Sequence, residues 1–85
     1  MPKMPAGWKK KRIDGKDVYV RGDYEIHLYK KYREKKYVLE VFRQFGGFKR
    51  RLSRQEFFSL ENARKVAWQL MRQKEIRGYY TSFNF

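Results

Sequence analysis

The chain has no cysteine. That excludes disulfides, thiolate nucleophiles and thiolate metal sites, and it makes a reducing compartment the default. There is one histidine, His27, and there are three aspartates, Asp14, Asp17 and Asp23. A transition-metal site needs several His, Cys or carboxylate ligands in register, so neither metal nor cofactor is expected. No apolar run approaches the length of a membrane span. Residues 1–12 hold no apolar stretch of the kind a signal peptide needs. The expectation is an intracellular, cytoplasmic protein with no membrane partner.

Acidic residues are scarce beside basic ones. Lys and Arg number 22 and Asp and Glu number 9, a formal net charge of +13 on 85 residues. Such an imbalance costs stability through self-repulsion, and a polyanionic partner offsets it. Nucleic acid is the commonest polyanion; an anionic membrane or an acidic protein surface satisfies the same arithmetic. Aromatics make up 19% of the chain, whereas disordered chains are poor in them. The length supports one small domain with one modest core.

Residues 1–12 carry Pro2, Pro5 and Gly7, then Lys9, Lys10, Lys11 and Arg12. Like charges without a period suggest a flexible basic arm, followed by a single domain over 13–85. Trp8 is open to two readings, stacking on a ligand or docking on the core.

The folded part begins with a β-prone run, Val18 to Val20. Gly22-Asp23 then marks a turn. Tyr24, Ile26 and Leu28 alternate with Glu25, His27 and Tyr29, the pattern of a half-buried strand. Residues 30–36 suggest a hairpin loop. Residues 36–43 are apolar on both faces, as in a central strand covered by a helix on one side. Gly46-Gly47 marks a tight turn, and residues 48–53 make a fourth strand. Phe48, Arg50 and Leu52 face one way there, Lys49, Arg51 and Ser53 the other.

A helix follows, capped by Ser59 with Glu61 in its first turn. Ala63, Val66, Ala67, Leu70 and Met71 form one apolar stripe, and Gly78 is the expected stop. The alternating tail, Tyr79 to Phe85, either adds a strand or patches the core. The expected fold class is α+β: a four-stranded antiparallel β-meander with one C-terminal helix packed on the sheet.

Catalytic patterns are few. Glu25 and His27 share a strand face and have the chemistry for acid–base work, but no nucleophile motif accompanies them. The reading adopted is a half-exposed strand histidine and no enzyme. Gly46-Gly47 has no Walker-type continuation. The remaining candidates are cationic. Arg43, Lys49, Arg50, Arg51 and Arg54 bracket the Gly-Gly turn with Phe45 and Phe48 among them. Cations that hold phosphates and rings that stack suit nucleic acid. Phe48 is expected in the core; Phe45 is open between core and stacking.

Residues 24–79 resemble the WGR domain, a module of nuclear poly(ADP-ribose) polymerases and of small bacterial proteins. The resemblance rests on Tyr24-Glu25-Ile26-His27-Leu28, on Arg43-Gln44-Phe45-Gly46-Gly47 in the slot of the Trp-Gly-Arg signature, and on Phe57-Phe58-Ser59, Ala63, Lys74 and Gly78-Tyr79. It covers about two-thirds of the chain. Phe45 stands where the family has tryptophan, and Gly47 where it has arginine. The resemblance implies a non-catalytic module in which those two positions meet the sugar and phosphate of a DNA end. Here Phe45 would stack, and Lys49, Arg50 or Arg51 would supply the charge.

The expected function is therefore nucleic-acid binding, DNA favoured over RNA. The site is expected to comprise Lys9, Lys10, Lys11, Arg12, Arg43, Phe45, Lys49, Arg50, Arg51 and Arg54. A strand-in-groove mode, with Arg50 or Arg54 reading guanine, is a variant of it. The competing class is a module that docks on an acidic protein, with Tyr19, Tyr29, Tyr80, Phe83 and Phe85 as anchors.

Overall fold

The computed structural model describes residues 4–73 and residue 76. They form a five-stranded antiparallel meander, β1 (Lys9–Ile13), β2 (Lys16–Arg21), β3 (Tyr24–Lys31), β4 (Lys36–Phe45) and β5 (Phe48–Phe57), followed by helix α1 (Leu60–Met71). The α+β class and the helix-on-sheet arrangement agree with the pattern in the sequence. Among the described residues no helix is long and apolar enough to cross a membrane.

The strand count is five rather than four. The charge run alone assigns residues 9–12 to an arm, but all of Lys9–Ile13 pairs with β2, from Lys9↔Val20 to Ile13↔Lys16. The Asp14-Gly15 turn makes this possible. Both residues take left-handed backbone, φ 50° and 76°, the geometry of a type I′ hairpin whose twist matches its strands. An edge strand needs no apolar face of its own, and charge on an edge discourages self-pairing. β1 therefore lacks the alternation that exposes a strand to sequence reading.

Alternation elsewhere sorts the sheet into two faces. Tyr19, Tyr24, Ile26, Leu28, Leu39 and Val41 point to one side and meet Ala63, Ala67, Leu70 and Met71 of α1. The two alanines are fully buried and let the helix lie close to the sheet. Each large aliphatic side chain removed from water here contributes roughly 1.5–3 kcal/mol.

The helix begins where Ser59 Oγ accepts a hydrogen bond from the Asn62 N–H at 3.0 Å. It ends at Met71, seven residues before the expected glycine stop. Distant side chains account for that. The Trp8 indole N–H donates to the Met71 carbonyl at 2.9 Å. The Arg21 guanidinium donates to Met71 at 3.2 Å and to the Gln73 carbonyl at 2.8 Å. These donors satisfy terminal carbonyls that a glycine motif otherwise would. Gly78 and the aromatic tail lie outside the described residues.

β5 runs to Phe57 rather than ending at Ser53, and a bulge interrupts its pairing. Val41 opposes Ser53, while Phe42 opposes Arg51, leaving Leu52 as the extra residue. Leu52 packs on the helix-side core, and the bulge shifts the alternation after it. Lys49, Arg51 and Arg54 then share the other face.

Candidate nucleic-acid interface

No described element covers the face of the sheet opposite α1. Its residues follow from the register. β1 contributes Lys9, Lys11 and Ile13, and β2 contributes Lys16, Val18 and Val20. Glu25, His27, Tyr29 and Lys31 of β3 stand opposite Phe42, Glu40, Val38 and Lys36 of β4. β5 adds Lys49, Arg51, Arg54 and Glu56. Eight cations thus face three carboxylates on this side of the sheet.

A layer of polar contacts roofs the small side chains beneath. Glu40 accepts from Arg51 at 3.0 Å, and Glu25 meets His27 at 3.0 Å and Lys49 at 2.9 Å. Glu56 accepts from Arg54 at 2.6 Å. The Lys16 ammonium lies 4.3 Å from the Tyr29 ring centre, and the His27 and Phe42 rings are 4.6 Å apart. Under this roof Val18 and Val38 are buried although no described helix covers them.

The ion pairs leave their mark on titration. Burial raises the pKa of Glu40, but hydrogen bonds from Tyr29 and Arg51 outweigh it and hold the carboxyl below its ordinary value. Glu25 behaves alike: burial raises it, and its bonds to His27 and Lys49 bring it lower overall. Both carboxylates are therefore charged at neutral pH, and each is tied to cations. Lys9, Lys11 and Arg50 differ: they have no carboxylate partner among the described residues.

The second feature is the β4–β5 hairpin tip, which runs past Arg43, the last β4 residue in register with β3. Gly46 takes φ 55° and Gly47 does not share the left-handed region, the pattern of a type II′ turn. Phe45 and Phe48 flank the turn with ring centres 5.9 Å apart and planes 26° from parallel. Phe48 is 61% exposed and Phe45 36%. The core placement expected for Phe48 is thus corrected: the tip projects beyond the helix, which cannot cover it. Arg43 and Arg50 oppose each other one pair further back. Arg43 lies 5.1 Å from the Tyr24 ring centre and 5.2 Å from that of Phe45.

The sequence-derived cluster therefore separates into three places. Arg43, Phe45 and Arg50 gather at the tip, on the helix side. Lys49, Arg51 and Arg54 lie on the open face along one edge, with Lys9 and Lys11 on the same face at the opposite edge. Lys10 and Arg12 point to the helix side, where Arg12 bonds Asp17 at 2.8 Å and Lys10 lies 3.9 Å from it.

Trp8 is 5% exposed and belongs to the core, not to a stacking surface. Tyr19 is 1% exposed, so it is no surface anchor; its side chain fills the core under Trp68. Tyr29 is half-buried on the open face, and Tyr80, Phe83 and Phe85 lie outside the described residues. Sequence reading also missed Lys16, Lys31 and Lys36, whose common face emerges only from the hairpin registers.

Among the described residues no group of three or more His, Cys, Asp or Glu side chains is placed to hold a metal ion. No protein-family model, curated protein or solved structure matches the chain.

Proposed function

We propose that this chain is a non-catalytic nucleic-acid-binding domain, with DNA favoured over RNA. The observation that carries the reading is the excess of eight cations over three carboxylates on a sheet face that no described element covers. Phosphates run along that face, held by Lys9 and Lys11 at one edge and by Lys49, Arg51 and Arg54 at the other. At the tip, Phe45 and Phe48 stack on an exposed base or sugar, while Arg43 and Arg50 neutralise a phosphate beside them. The resemblance to the WGR domain points the same way, since its signature slot falls on this tip.

The geometry bears on the mode. Five strands at about 4.8 Å spacing span about 19 Å, wider than a B-DNA major groove of about 12 Å. The whole sheet therefore lies along the backbone instead of entering the groove. A two-stranded ribbon does fit such a groove, so only the β4–β5 tip can insert or meet an end.

The test is fluorescence anisotropy with a blunt duplex, a closed dumbbell and a single strand, each titrated at several salt concentrations. With about five phosphates engaged, log affinity on duplex falls against log salt with a slope of about −4 to −5. Preference for the blunt duplex over the dumbbell supports end recognition by the tip. Absence of binding to all three at low salt rejects the proposal.

A further inference from the structure

β1 is an edge strand: it pairs with β2 alone, and among the described residues nothing pairs with its outer side. It presents four consecutive cations, Lys9 to Arg12, along a row of outer backbone groups that no other described strand pairs with. Beneath that edge, between it and α1, runs a groove of about 910 Å³. Its floor is apolar. Trp68 forms it, backed edge to face by the buried Tyr19 at 5.5 Å, and Leu60 extends it. Its rim carries Lys10, Arg64 and Arg72, with Glu61 already held by Lys65 at 3.7 Å.

An open edge and an adjoining apolar groove are the two parts of strand addition. Backbone hydrogen bonds hold an extended peptide, and pockets receive its alternate side chains. The charges choose the guest. A second copy of β1 would bring four more cations to the same edge and be repelled. An acidic strand would be attracted along its whole length.

We infer that the β1 edge and the groove beneath it bind an extended acidic segment of a partner protein as a sixth strand, its alternate apolar residues seated over Trp68 and Leu60. The groove lies on the helix side, away from the tip, and meets the open face only along the β1 edge. It uses Lys10 on the helix side, whereas nucleic acid is assigned to Lys9 and Lys11 on the other.

The probe is an acetylated heptapeptide in which Glu alternates with Val and Tyr, titrated into the full chain. Amide hydrogen exchange at β1 and tryptophan fluorescence are the readouts. In the free chain the outward-pointing amides of β1 exchange fast. The peptide slows them at least about tenfold, as backbone pairing requires, and changes the emission of Trp68. Replacing Glu by Lys in the peptide abolishes both effects on the unaltered protein. The double variant Lys10→Gln/Arg64→Gln, whose thermal unfolding is checked alongside, weakens binding about tenfold through lost rim charge.

Any of the following results would overturn the inference. One is binding without β1 protection, or no binding at low salt. Another is protection of the outward amides already in the free chain, which would mean that residues 77–85 or another copy occupy the edge. The last is equal protection of those amides by a single-stranded oligonucleotide, which would assign the groove to nucleic acid.

Discussion

Arg43 and Arg50 stand directly opposite each other across the β4–β5 hairpin. Like charges in this position destabilise a sheet by up to about 1 kcal/mol. Arg50 has no carboxylate partner among the described residues, so a phosphate seated beside it would offset this repulsion. Arg50→Gln is accordingly expected to leave thermal stability unchanged or raise it, while weakening nucleic-acid binding. On duplex DNA the salt slope should become shallower by about 0.9, one phosphate contact. A fall in melting temperature with unaltered affinity would refute this assignment.

Phe45 and Phe48 cover each other and little else. Their replacement by alanine costs little stability because both rings are exposed. If they stack on bases, the double variant loses about 1–3 kcal/mol of binding per base displaced. The loss should be largest on DNA with ends or unpaired bases and smallest on a closed dumbbell. Anisotropy titrations of the variant against the three DNAs, with circular dichroism melts, separate the two effects.

Trp8 belongs to the scaffold. Its indole N–H caps the helix carbonyl of Met71, and Arg21 lies 4.9 Å from the ring centre. Trp8→Phe keeps most of the packing and removes the hydrogen bond, a loss of about 0.5–1.5 kcal/mol. For a domain of this size 1 kcal/mol lowers the melting temperature by about 4–8 °C. Affinity for nucleic acid, measured below the transition, should not change. A selective loss of affinity would return Trp8 to the binding surface.

Much of this architecture was legible in the sequence. Tyr24, Ile26 and Leu28 announced their strand by period two, Ser59 and the alanine stripe announced the helix, and the Gly-containing dipeptides marked their turns. Three features were hidden. β1 has no apolar face, so Lys9 to Arg12 looked like an arm until the Asp14-Gly15 turn paired it with β2. The bulge at Leu52 moves Arg54 onto the face of Lys49 and Arg51, which simple alternation cannot foresee. The helix stops at donors from Trp8 and Arg21, 63 and 50 residues away in the chain, beyond the reach of any local rule. The candidate site was legible in its residue types, not in its grouping, because grouping depends on which strands form the edges.

Acid should loosen the open face. Glu25 and Glu40 both titrate below their ordinary value of 4.5 in the folded chain. Their ion pairs therefore stabilise fully above that value, and the contribution is lost as pH falls through the lowered folded values. The melting temperature should drop as the pH is taken below about 4.5. Glu25→Gln/Glu40→Gln should be less stable at neutral pH and show a flatter acid limb. Parallel pH profiles for the two proteins would contradict these pairs.

The central claim is that nucleic acid lies on the helix-free face and the hairpin tip. Amide chemical-shift mapping during titration with a short duplex at low salt tests it most directly. The account predicts shifts concentrated at Lys9 and Lys11, at Gly46 and Gly47, and along Lys49 to Arg54, with α1 unaffected. Shifts confined to α1 and the groove under β1, or no shifts at all, would contradict it.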